Sequence, residues 1–299
     1  MLSKDKEMLL ISMFIELDNF CQALHSWQLS TGRYRHPTRV SSLCDSELMS
    51  ICVFYHYSGY KCFEYYYRDF VCKVLASYYP NLVSYERFLS YLVRIMPGLF
   101  VFLQLCTLKS RATGLYFIDS KKLVVCDNHR IHSNKVFAGV AARGKSSTGW
   151  FYGLKIHLVI NNLGEIMNFA LTKGDVADNN AELLQGLLKD LKGECYGDKG
   201  YITKLFEAFY EKGLSLITKV RKNMKNKLLP IEQKLKLRKR AVIESVNDIL
   251  TSVLDIEHTR HRNPYNAVAH ILAGLVAYCF YPNKPSVYVN KNENLLLVA

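Results

Sequence analysis

The chain has 299 residues, 49% of them hydrophobic, and a formal net charge of +13. That length and apolar content suit one large or two modest globular domains, and the charge favours an anionic partner, either nucleic acid or an acidic membrane surface. Nine cysteines with no Cys-x-x-Cys pair, and nine histidines without zinc-like spacing, speak against a disulfide framework or a zinc cluster.

The N-terminal segment reads as helical. Residues 5–24 carry apolar side chains on a repeating stripe, and acids mixed with bases there do not form a signal peptide. Asp45 is placed to cap the helix of SELMSICVFYHY. YKCFEYYYRDFVCKVLASYY and SYERFLSYLVRIMPGLFVFLQL continue the pattern, with Pro80 and Pro97 expected to bound or interrupt segments. The dense aromatics read chiefly as a helical core.

After residue 112 the rhythm changes to β/α. GLYFID is a strand expected to end at Asp119. WFYGLKIHLVI, the turn NNLG and EIMNFALT form a β-hairpin over 151–171. DNNAELLQGLLKDL is an amphipathic helix capped by Asp178 or Asn179. GECYGD is a strand ending at Asp198, TKLFEAFYEKG a helix stopping at Gly213, and LSLITKV the last strand. A final helix is expected from Leu237 to Leu254. AVAHILAGLVAYCFY contains His270 and is shorter than the roughly 18 residues of a membrane span, so it reads as a core helix, and a cytosolic chain without a membrane partner is expected.

The order β-β-β-α-β-α-β-α allows right-handed crossovers to bring the first and fourth strands side by side and parallel. Asp119 and Asp198 then meet at the strand ends where ligands gather in open α/β sheets. On the final helix, Val242, Val246, Ile249 and Val253 form the apolar stripe. Arg240, Glu244, Asn247, Asp248 and Thr251 fall on the other face, and periodicity does not choose between Glu244 and Asp248 as a third acid. Carboxylates gathered at one point repel unless they hold hard cations such as Mg²⁺ or Mn²⁺. A pair of such ions serves phosphodiester chemistry. The segment 219–240, with ten Lys and Arg against the single Glu232, would meet phosphates through Arg221, Lys222, Lys225 and Lys227.

Lys155 and His157 alternate along one strand, where they line either the active edge or an exposed sheet face. RGKSST reads as a basic loop that offers Arg143 and Lys145 to phosphates and lacks P-loop spacing. The whole connection from Asp119 to Trp150 is expected to be a loop able to close over DNA.

YFIDS, YGDKGY and RKRAVIESVND, supported by RGKSSTGWFYGLKIHL, LITKVRKNMKNKL and IEHTRHRNP, resemble the DDE transposases of bacterial insertion sequences, specifically the insertion sequence 982 family. HYSGYKCFEYYY and YPNLVSYERF extend the resemblance toward the N-terminus. It implies an α/β ribonuclease-H-like catalytic domain at 111–285, a helical region at 1–110 for DNA-end binding or assembly, and a tail at 286–299. It assigns the triad as Asp119, Asp198 and Glu244, holding two Mg²⁺ or Mn²⁺ ions. Arg240 joins Lys155, His157, Arg143 and Lys145 as expected DNA contacts. The partners implied are double-stranded DNA, as terminal inverted repeats and target, and further copies of the chain in a homodimer or larger oligomer on DNA. The expected location is cytoplasmic, with the nucleoid. The wider group's Tyr-x2-Arg-x3-Glu-x6-Lys signature is matched at Arg240 and Glu244, while Leu237 and Thr251 occupy the tyrosine and lysine positions. The alternatives are a non-catalytic repressor derived from a transposase, and a nuclease of the same fold without strand transfer.

Overall fold

The structure, a computed structural model, describes residues 2–33, 41–146, 149–219, 229–257 and 261–288. The chain divides into two compact units, Met1–Cys106 with Leu250–Tyr281, and Thr107–Ile249 with Pro282–Ala299.

The first unit is helical. Helix α1 spans Lys4–Ser30 and buries Leu10, Met13, Leu17 and Phe20. Helix α2, Asp45–Ser58, begins one residue earlier than expected: Cys44 precedes it, and its N–H donates to the Glu47 carboxylate at 2.8 Å. A short helix α3, Phe63–Tyr65, runs into a π-helical turn at Tyr66–Val71. Helix α4, Tyr85–Lys109, continues through Pro97 instead of breaking there. The lost hydrogen bond is tolerated because Phe88, Leu92, Ile95, Leu99, Phe102 and Leu103 bury one stripe along its length. Among the described residues α4 alone is long and apolar enough to cross a membrane by length and composition. The C-terminal helix, Pro264–Phe280, is a core helix as expected, with twelve buried residues. It groups with the N-terminal helices, whereas the sequence reading placed it in the catalytic domain. Tyr57 donates to the Ala277 carbonyl at 2.7 Å and His56 meets the Leu254 carbonyl at 2.5 Å.

The second unit is a mixed sheet with helices on its faces. Its elements are β1 (Leu115–Cys126), β2 (Ala142–Ser146), β3 (Gly149–Asn161), β4 (Ile166–Lys173), α5 (Ala181–Leu187), β5 (Gly193–Gly197), α6 (Phe206–Glu211), β6 (Leu214–Thr218), α7 (Ile231–Lys239) and α8 (Ala241–Asp248). The strand order is β2-β3-β1-β5-β6, and β4 pairs with β3 beyond the end of β2. β3 is antiparallel to β1, β2 and β4, whereas β1, β5 and β6 run parallel.

Three of the boundaries that differ from expectation bear on the site. β1 runs seven residues past Asp119, because β3 is long enough to pair it as far as Cys126. Residues 142–146 form a strand, not a loop, since Arg143 and Lys145 pair with Tyr152 and Trp150. The final helix is divided at Arg240 into α7 and α8, followed by a π-helical turn at Ile249–Val253.

The sheet's two faces follow from strand alternation. Tyr116, Ile118 and Val159 pack with Leu184, Leu187 and Leu188 around α5, and with Phe209 of α6. Phe117, Asp119, Leu154, Ile156 and Leu158 turn to the opposite face. Gly153 sits where β3 passes from β2 to β4, and a Cβ there would lie 2.0 Å from the Leu123 carbonyl oxygen. Gly153→Ala is expected to destabilise the protein by about 3 kcal/mol. Gly186→Ala in α5, where a Cβ meets nothing within 4 Å, should stabilise it by about 0.5–1 kcal/mol. Urea titration of both variants checks this pair of opposite signs.

Candidate active site

The parallel ladder between β1 and β5 ends with Phe117 opposite Tyr196. Two residues further along the chain from each stand Asp119, within β1, and Asp198, one residue past the end of β5. Asp198 caps a short 3-10 turn, Lys199–Tyr201, and its Oδ1 accepts from the Gly200 N–H at 2.5 Å. Asp119 is mostly enclosed and approached from α8: Asn247 Nδ2 donates to its Oδ2 at 3.0 Å. Arg240, at the junction of α7 and α8, places Nη1 3.5 Å from Asp119 Oδ1 and Nη2 2.5 Å from Glu244 Oε1. The guanidinium thus lies between the two acids. Nη1 is buried and has no hydrogen-bond partner among the described residues.

The electrostatics tie these groups together. Burial pushes the Asp119 carboxyl up to about 6, and the charges of Asp198 and Glu244 add to the rise while Arg240 opposes it. Asp248, one turn beyond Glu244, is exposed. The structure therefore brings Asp119, Asp198, Glu244 and Arg240 into one electrostatic neighbourhood.

Beneath Asp119, on the other face, a second polar group is assembled around Asp178. Its Oδ1 accepts from Ser120 Oγ at 3.0 Å and from Lys155 Nζ at 3.0 Å, and lies 4.0 Å from His157 Nδ1. Lys155 also donates to the Val176 carbonyl at 2.6 Å. His157 is fully buried, meets Thr172 Oγ1 through Nε2 at 2.9 Å, and is held down to about 4, chiefly by burial. Tyr201 packs nearby; burial and the charges of Asp178, Asp119 and Asp198 raise its phenol well above the usual value.

Sequence reasoning missed Asp178 and Asn247. Asp178 was expected at a helix cap, but Asn180 caps α5, its side chain accepting from the Leu183 N–H. Asn247 was given no role on the polar face of its helix, but it is buried against Asp119. Lys155 and His157 were expected at DNA; both are buried and internally paired. A lysine and a histidine on one face of an apolar strand were the available signal, since burying them requires an acid. Arg143 and Lys145 are exposed on β2 and lie over the Trp150 ring at 4.9 and 5.6 Å. Arg221, Lys222, Lys225 and Lys227 lie outside the described residues.

The donor set of Asp119, Asp198 and Glu244 is all carboxylate oxygen, the chemistry that suits Mg²⁺ or Mn²⁺. The acids are not drawn together as a cage: among the described residues no group of three or more His, Cys, Asp or Glu is placed to hold a metal ion.

Residues 109–264 match the transposase DDE domain family, over half of the chain, and the protein belongs to that family. It is a DDE transposase by family, with an α/β domain and a helical N-terminal region. No curated protein and no solved structure matches the chain.

Because its folded value lies above that of an unfolded aspartate, Asp119 favours the fold when protonated. Stability is fully present below about pH 4 and is lost as pH rises toward about 6. Asp119→Asn should therefore raise metal-free stability at pH 7 by about 3 kcal/mol and flatten its pH dependence between 4 and 6. Denaturant titrations at several pH values in chelator measure both effects.

Proposed function

We propose that the protein is a transposase of the insertion sequence 982 type, with a ribonuclease-H-like catalytic domain that cleaves DNA at an element's terminal inverted repeats and joins the freed 3′ ends to a target. The observation that carries this reading is that Asp119 on β1 and Asp198 just past the end of β5 follow adjacent parallel strands, with α8 and its N-cap bringing Asn247, Arg240 and Glu244 toward Asp119. The strand order, with one antiparallel hairpin followed by parallel strands, supports the fold reading.

Asp119, Asp198 and Glu244 would hold Mg²⁺ or Mn²⁺, which supplies a Lewis acid for the phosphodiester and lowers the pKa of the attacking water. Arg240 orients Glu244 through the ion pair at i and i+4, while its Nη1 faces Asp119 Oδ1 at 3.5 Å, so that one guanidinium steadies both acids. Asn247 fixes the rotamer of Asp119. Ser120, Lys155 and Asp178 hold β1 from below. The helices of residues 1–110 read the element's ends, the segment 219–240 meets phosphates, and further copies assemble on the DNA.

Labelled element ends and a target plasmid incubated with Mg²⁺ test this directly. Joined product supports a transposase; cleavage alone supports the nuclease alternative, and binding alone the repressor. Asp119→Asn, Asp198→Asn and Glu244→Gln should each reduce cleavage and joining by at least about 100-fold, roughly 3 kcal/mol in barrier, without loss of DNA binding. Asp248→Asn should retain most activity. An inactive Asp248→Asn beside an active Glu244→Gln would move the third acid one turn along α8. Replacing Lys222, Lys225 and Lys227 with Ala should weaken binding to all sequences and flatten the log–log salt dependence by about 0.9 per lost contact. An unchanged slope in filter binding would remove that segment from the interface.

A further inference from the structure

Trp150 stands at the start of β3 with 52% of its surface exposed. The next residues on its face, Tyr152, Leu154, Ile156 and Leu158, are all buried. Its backbone is fixed by the ladder to Lys145 and by Asn128 Nδ2, which donates to its carbonyl at 2.9 Å. Its ring does not complete the core. Instead the Arg143 guanidinium lies 4.9 Å and the Lys145 ammonium 5.6 Å from the ring centroid, and both residues are exposed.

Alternation along β3 places Trp150 on the same face as Leu158, whose partner across the ladder is Asp119. Arg143 and Lys145 share that face, because they stand opposite Tyr152 and Trp150. Eight residues separate Trp150 from Leu158, about 26 Å along the strand. On duplex DNA that distance is about eight base-pair steps.

We propose that Trp150, flanked by Arg143 and Lys145, is a stacking site for an unpaired DNA base, with the two cations taking the neighbouring phosphates. The site rests on the reading that the chain acts on DNA. Every base offers a π-face, so stacking on indole is tolerant of sequence, and cations beside the ring suit the polyanionic strand on which the base is carried. Its distance from Asp119 makes it a grip remote from the bond that breaks. Its loss acts on DNA affinity.

The chain contains two tryptophans, Trp27 and Trp150, so Trp27→Phe leaves Trp150 as the sole indole reporter. In the full-length protein its emission is titrated with an oligothymidylate of about 12 nucleotides, with the same strand annealed to oligodeoxyadenylate, and with heparin. The single strand should quench the indole strongly and the duplex weakly, and bound heparin should leave it unquenched. Trp150→Ala in the otherwise unaltered chain should weaken single-strand affinity roughly 5- to 150-fold, while Trp150→Phe keeps most of it. Equal quenching by heparin or duplex, or unchanged affinity in Trp150→Ala, overturns the stacking site. If the wild-type protein still cleaves element ends in that case, the transposase reading stands. If the wild-type protein binds no DNA, both fall.

Discussion

Parallel pairing between β1 and β5 lasts three residues, and the chemistry of the domain depends on where it stops. β5 ends at Gly197, while β1 continues as far as Cys126 with only β3 beside it. A crevice therefore opens on one side of β1 two residues after the last pair. Asp119 and Asp198 each follow the last β1–β5 pair by two residues, and the backbone hydrogen bonds of that ladder, not the mutually repelling carboxylates, bring them to the lip of the crevice. The arrangement obeys the general rule that open α/β sheets bind ligands beyond their carboxyl ends. It also explains how an acid in the middle of a twelve-residue strand can still lie at the edge of a sheet.

Charge balance separates the two faces of β1. On the lower face Asp178 is matched by Lys155, with Ser120 donating to the same oxygen, so that the enclosed group is close to neutral. Such a pair contributes little net stability but costs much if halved. On the upper face three carboxylates meet one guanidinium, and two negative charges remain uncompensated. Burial raises the Asp119 carboxyl, Arg240 opposes the rise, and the charges of Asp198 and Glu244 add to it. One face is closed on itself, and the other has capacity left for cations or for the positive end of a ligand complex.

The hairpin of β3 and β4, the strand leading to Asp198 and the apolar stripe of α8 were legible because they follow periodicities of 2 and 3.6 residues. The end of β1 was not, since its extension to Cys126 depends on the length of a partner strand that pairs there through Tyr152, far along the chain. The helix break at Arg240 was hidden for a similar reason: every residue around it has adequate helix propensity, and tertiary contacts decide the interruption. Asp119 and Asp198 could be placed from the β/α rhythm, whereas Glu244 could be preferred to Asp248 only through family resemblance. Asp178 and Asn247 carried no local signature, as a polar residue next to a helix start or on a helix flank is ordinarily solvated.

Alternation also explains why the basic residues of β3 were misread. A strand offers only every second side chain to one face. Lys155 and His157 belong to the face that α5 covers, where Asp178 takes up the lysine and burial keeps the histidine neutral. They are thereby lost to any ligand over Asp119. Besides Arg240, the strand cations on Asp119's own face are Lys121 of β1, Arg143 and Lys145 of β2 and Lys173 of β4, and Arg143 and Lys145 are exposed around Trp150. A polyanion extending from Asp119 along β3 therefore meets its positive charge not from β3 itself but from the strands flanking it, and the exposed indole lies at the far end of that path.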